Sequence, residues 1–194
     1  MNAVAGRALT SSAARPRAPI GPAMQSHFDL FGLQPAFAVD EERLERAYRE
    51  IQSRVHPDRF AHAGDAERRA SLQWTTRVNE AYRTLRDPLQ RARHLLELRG
   101  VDVAFETNTA MPADFLVQQM ALRESLEEAV EAKDAASLDS LRKGLVEEQR
   151  RLEKQIGESI DARKDYRGAA ELVRKLMFLD KLDTEVDLAY EALE

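Results

Sequence analysis

With 194 residues, 32% of them charged and none of them cysteine, the chain can bury one or two small cores but excludes disulfides, thiolate metal centres and a cysteine nucleophile. No run of about eighteen apolar residues occurs, so no membrane-spanning helix and no membrane partner are expected. Residues 1–27 carry three arginines and no acid, residues 28–100 thirteen bases against twelve acids, and residues 101–194 thirteen against twenty-two; an acidic C-terminal half argues against a nucleic-acid partner.

Residues 1–25 are rich in Ala, Ser, Arg and Pro without apolar periodicity and read as a disordered or mis-started extension. Arg and Ser without acids also fit a targeting peptide, although Pro16, Pro19 and Pro22 would break an amphipathic helix; Met24 is a second candidate start. Phe28 to Leu33 form a short apolar helical turn ended by Gly32. Asp40 then caps a helix whose first turn holds Glu41 and Glu42, where the helix dipole favours acids. Leu44, Ala47, Tyr48, Ile51 and Val55 share its inner face, and Arg43, Arg46 and Arg54 share a flank.

Pro57, between His56 and Asp58, removes a backbone donor and turns its predecessor extended, so this helix stops near His56. Asp65 is expected to cap the next, which carries Trp74, Val78, Ala81 and Leu85 as a stripe facing Leu44, Tyr48 and Ile51 across an antiparallel hairpin. Asp87-Pro88 starts a short fourth helix, and Gly100 stands where a C-terminal glycine belongs. Residues 101–111 read as a linker.

From Pro112 onward the pattern is helical throughout. One helix carries Phe115, Leu122, Leu126 and Ala129. A second, capped by Asp134, carries Leu138, Leu141, Leu145, Leu152, Ile156 and Ile160. A third begins at Arg167 or Gly168 and carries Leu172, Leu179, Leu182, Val186, Ala189 and Leu193. Long helices joined by short turns predict an antiparallel three-helix bundle, and with no strand signal the fold class is all-α.

Two constellations carry functional information. The His56-Pro57-Asp58 loop lies between a basic amphipathic helix and a helix bearing Asn79-Glu80-Ala81-Tyr82, followed by Leu85 and Asp87-Pro88. Asp58 offers a charge-assisted acceptor to an arginine on a partner, and Arg43, Arg46 and Arg54 offer a positive flank. The second constellation is on the first bundle helix. With Phe115 at 0°, Leu122, Leu126 and Ala129 fall within about 40°, whereas Leu116, Met120 and Val117 fall near 100°, 140° and 200°. Adjacent apolar residues outside the core arc read as a binding patch. A wide bundle interface or a covering domain would also accommodate them. The four histidines, His27, His56, His62 and His94, show no paired spacing, so no metal site is expected, and no cofactor or catalytic residue is indicated.

The loop in its context resembles the signature of the J-domain, the module that stimulates ATP hydrolysis by DnaK-type chaperones. Phe115-Leu116-Val117-Gln118-Gln119-Met120-Ala121-Leu122-Arg123-Glu124 and Val173-Arg174-Lys175-Leu176-Met177-Phe178-Leu179-Asp180-Lys181-Leu182 resemble the first and last bundle helices of the HscB co-chaperones of iron–sulfur cluster assembly. Phe28 to Leu33 and Pro88-Leu89-Gln90-Arg91-Ala92 agree with the same family. The resemblance implies a J-domain over residues 26–100, a linker over 101–111 and a scaffold-binding bundle over 112–194. It implies that His56, Pro57 and Asp58, flanked by Arg43, Arg46 and Arg54, engage an HscA-like chaperone. It also implies that Leu116, Val117, Met120, Arg123, Glu124, Glu128 and Phe178 contact the scaffold IscU, with Ala121 standing where the family often has an acid. The protein would then activate a partner ATPase without performing covalent chemistry. Lacking the cysteine-rich segment common before eukaryotic J-domains of this family, it reads as bacterial and cytoplasmic, ahead of a mitochondrial matrix location. A general J-protein that hands unfolded clients to DnaK is the rival reading, and a helical metallohydrolase using the histidines a more distant one.

Overall fold

The computed structural model describes residues 26–60, 62–103 and 112–193, and among them every regular element is helical. The expected extension, residues 1–25, and most of the expected linker lie outside the described residues.

Helix α1 (His27–Leu30) is capped by Ser26 and sends Phe28 and Leu30 into the core; Gly32, at φ +61°, turns the chain where a side chain would be strained. Asp40 caps α2 (Glu41–Val55), its carboxylate accepting the Arg43 N–H at 2.9 Å. After a single 3₁₀ turn, Pro57–Phe60, α3 (Asp65–Arg86) begins. Its N-cap is Gly64, whose N–H is accepted by Glu67 at 3.3 Å, so Asp65 sits in the first turn and favours the dipole from there instead of capping. The α2–α3 hairpin closes over Leu44, Val78, Ala81 and Leu85. Tyr48 stacks on Tyr82 with ring centroids 4.1 Å apart, and its hydroxyl donates to Asn79 Oδ1 at 3.0 Å. Helix α4 (Pro88–Glu97) starts at the Asp87 cap and ends before Gly100, at φ +69°.

Helices α5 (Ala113–Glu131), α6 (Ala135–Gly157) and α7 (Tyr166–Leu193) form the bundle. Arg142 pairs with Asp187 at 2.7 Å and Tyr190 donates to Asp139 at 2.5 Å, which fixes α6 and α7 as antiparallel. Helix α6 runs on into a π-helical turn, Glu158–Arg163, closed by Lys164 at φ +56°. Asp165 then accepts the Gly168 N–H, and α7 begins at Tyr166, slightly ahead of the expected start.

The two halves share one continuous apolar core. Helix α4 packs on α6 and α7, and the segment before α2 packs on the end of α6. There Asp161, in the π turn, accepts the N–H groups of both Phe37 and Ala38 at 2.8 Å. The Phe37 ring lies so close to Gly157 that a Cβ there would sit 2.9 Å from it. The buried Arg91 guanidinium also lies over the Phe37 ring, 5.1 Å from its centroid, and donates to the Leu85 carbonyl at 2.7 Å.

Candidate functional site

The His-Pro-Asp loop projects into solvent at the end of the hairpin. His56 ends α2 with an extended ψ of 130°, as the proline after it requires. Its Nδ1 accepts the Asp58 N–H at 3.3 Å and lies 3.5 Å from the Asp58 carboxylate. Nδ1 thus faces the loop's own Asp58, which leaves Nε2 as the ring nitrogen available to a partner. The two side chains are 49% and 90% exposed, so both point toward solvent.

Behind the loop, orphan carbonyls at the end of α2 are satisfied from elsewhere. Arg59 Nη1 donates to the Ser53 carbonyl at 2.9 Å, and Ser71 Oγ and Thr75 Oγ1 donate to the Val55 carbonyl at 2.6 and 3.1 Å. These three residues are not among the site residues expected from the sequence. A signal existed for one of them: Ser71 stands one turn before Trp74 in the stripe that continues through Val78, Ala81 and Leu85, and a serine in a core stripe needs a hydrogen-bond partner.

The three flanking arginines do not form one cluster. Arg54 lies in the turn next to the loop, but Arg43 is about 16 Å away along the helix axis. Arg43 donates to the Gly32 carbonyl at 2.8 Å and so helps to hold the turn after α1. Arg46 pairs with Glu42 at 3.3 Å, Arg49 with Glu45 and Arg54 with Glu50, all one turn apart on α2.

On α5, Phe115, Leu126 and Ala129 are buried as the wheel predicts, while Leu116, Val117 and Met120 are 44%, 67% and 72% exposed. Three apolar side chains within two turns make a solvent-facing patch, with Glu124 and Glu128 exposed beyond it. Arg123 pairs with Glu185 of α7 at 3.5 Å and spreads over the Phe178 ring, 5.6 Å from its centroid. Phe178 departs from the expectation of a surface contact. It is only 5% exposed and lies edge-on to Phe115 at 5.8 Å, because α7 is packed against α4, α5 and α6 and buries most of its circumference. Phe178 supports the α5 patch from beneath.

Two of the histidines, His27 and His94, serve a structural task. His94 Nε2 accepts the His27 N–H at 3.2 Å, an orphan donor at the start of α1, and the two rings stack at 4.3 Å. Burial holds both below the usual histidine range, His94 adding to the effect on His27. No group of three metal-ligating side chains occurs among the described residues, and none of their helices is long and apolar enough to cross a membrane.

A helical hairpin closed by an exposed His-Pro-Asp loop and joined to a helical bundle defines a J-domain co-chaperone. Comparison with known proteins narrows the class. The family model described as the HSCB C-terminal oligomerisation domain matches residues 111–187. Co-chaperone HscB homologues from Burkholderia mallei and Burkholderia thailandensis are 54% and 53% identical over 169 residues, spanning 87% of this chain and 96% of theirs. The chain belongs to the HscB family of co-chaperones. Among solved structures, Vibrio cholerae HscB superposes with a TM-score of 0.76 at 36% identity, covering 87% of this chain and 99% of that one. Human HscB superposes with a TM-score of 0.81 at 27% identity, covering 87% and 83%.

Proposed function

We propose that this HscB-family protein binds an IscU-like iron–sulfur scaffold through the exposed face of α5 and delivers it to an HscA-like DnaK-type chaperone. His56, Pro57 and Asp58 stimulate that chaperone's ATP hydrolysis, with Asp58 accepting from an arginine of the partner. Leu116, Val117 and Met120 bury against the scaffold and supply most of the affinity, while Arg123, Glu124 and Glu128 form the polar rim that orients it. The reading places the protein in the bacterial cytoplasm, in keeping with its bacterial relatives, as an activator of another protein's ATPase.

The observation that carries the proposal is that α5 leaves three neighbouring apolar side chains in solvent while the same body presents an exposed His-Pro-Asp loop. Holding both contacts in one molecule raises the effective concentration of scaffold at the chaperone. The test is calorimetric titration with purified folded IscU, followed by ATPase assays of the chaperone with and without it. Saturable binding and synergistic stimulation are expected; no binding at tens of micromolar would favour a general J-protein that takes unfolded clients.

A further inference from the structure

Val55 is the last residue of α2, and its carbonyl is one of those a helix C-terminus leaves without an intrahelical partner. Pro57 has no N–H to offer, and the N–H of Arg59 is used by the His56 carbonyl at 3.1 Å. The Val55 carbonyl is reached instead from α3, by hydroxyls one helical turn apart: Ser71 Oγ at 2.6 Å and Thr75 Oγ1 at 3.1 Å. With two donors its acceptor capacity is filled. Ser71 is 4% exposed, so solvent has little access to replace it.

Two buried or half-buried hydroxyls add little net stability over well-packed apolar groups, since folding only exchanges their water bonds for protein bonds. What they add is direction. An apolar contact tolerates rotation of one helix end against another, whereas two donors converging on one oxygen do not. The oxygen they hold lies one residue before His56.

We propose that Ser71 and Thr75 are positioning residues for the His-Pro-Asp loop, fixing the end of α2 so that His56 and Asp58 meet the partner chaperone in a single orientation. The proposal rests on the reading that this loop stimulates the chaperone's ATPase. Without the two bonds, only a fraction of molecules hold the loop in its productive orientation. The concentration needed for stimulation then rises in inverse proportion to that fraction, while the maximal rate, reached by molecules already docked, is unchanged.

The test uses the full chain with Ser71→Ala and Thr75→Val combined, and with Thr75→Val alone as the milder variant. Stimulation of a purified DnaK-type chaperone is measured against co-chaperone concentration, beside the backbone order parameter of Asp58 in the free protein. The double variant is expected to raise the half-maximal concentration about tenfold at constant maximal rate, with a lowered Asp58 order parameter. Thr75→Ser, which keeps the hydroxyl, should stay within about twofold of the parent. An unchanged half-maximal concentration, an unchanged order parameter, or an equal loss in Thr75→Ser would overturn the proposal. Failure of the parent chain to stimulate any DnaK-type ATPase would show in the first arm and refute the functional reading itself, while the order parameter still decides whether the hydroxyls fix the loop.

Discussion

The Asp161 carboxylate accepts the backbone N–H of Phe37 at 2.8 Å, across 124 residues of chain, and the adjacent N–H of Ala38 goes to its other oxygen at the same distance. One side chain at the end of α6 thus grips two successive amides of the segment that leads into α2, while the Phe37 ring fills the space that Gly157 leaves open. The J-domain is seated on the bundle by a polar clasp beside an apolar plug.

Removing the clasp leaves two donors short of a charged acceptor. Asp161→Ala is therefore expected to lower unfolding stability by about 2 kcal/mol, and Asp161→Asn, which keeps one acceptor oxygen, by roughly half as much. Urea denaturation of the three proteins measures it; variants as stable as the parent would show that the carboxylate and its amide partners contribute nothing.

Support and contact separate in the patch. Leu116→Ser with Met120→Ser should weaken scaffold binding at least about tenfold while changing stability by no more than roughly 0.5 kcal/mol per site, since both side chains already face solvent. Phe178→Ala should cost about 3–5 kcal/mol of stability, because it opens a cavity under Phe115 and Arg123. Chemical denaturation beside calorimetric binding distinguishes the two. A fully stable Phe178→Ala protein would contradict its burial.

His56→Gln is expected to abolish stimulation of the chaperone's ATPase yet leave scaffold affinity unchanged, as the loop and the α5 patch lie on different elements. Parallel loss of both activities in a folded variant would mean that the two surfaces do not act separately.

The His27–His94 pair sets a pH dependence whose sign follows from burial. Both groups titrate below their unfolded value of 6.5, so the unfolded chain binds protons first as pH falls. Their contribution to stability is complete above pH 6.5 and is lost as pH drops through the lowered folded values. Protonation also strips His94 Nε2 of the lone pair that receives the His27 N–H. Melting temperature is expected to fall from pH 7.5 to pH 5, and His94→Gln, which offers an uncharged acceptor, should flatten that slope. Identical slopes would show that His94 does not set the pH dependence.

Much of this architecture is written locally. Asp40, Asp87-Pro88 and Asp134 announce helix starts by chemistry that needs no distant partner, and Gly32 and Gly100 announce the turns that only a left-handed residue can make. The exposure of Leu116, Val117 and Met120 was legible because Phe115, Leu126 and Ala129 define the core arc of α5 without ambiguity. The burial of Phe178 was not legible for a physical reason: periodicity reports that a helix has an apolar face, but not how many neighbours it has, and α7 has three. Asp161 reads as a solvated acid because its two amide donors come from a segment more than 120 residues earlier. The π turn has no local signal either, since Ile156 and Ile160 keep the α-helical spacing from α6 into it.

The arginines of α2 are already committed. Arg46, Arg49 and Arg54 each hold a glutamate one turn earlier on the same helix, so docking onto an acidic partner, as proposed, would swap an internal carboxylate for an external one and turn the displaced glutamate loose at the contact. The exchange creates few new ion pairs. A face that looks strongly cationic in the sequence should therefore associate with only a shallow dependence on ionic strength, and Glu42→Gln, Glu45→Gln and Glu50→Gln together should steepen it by unmasking the arginines.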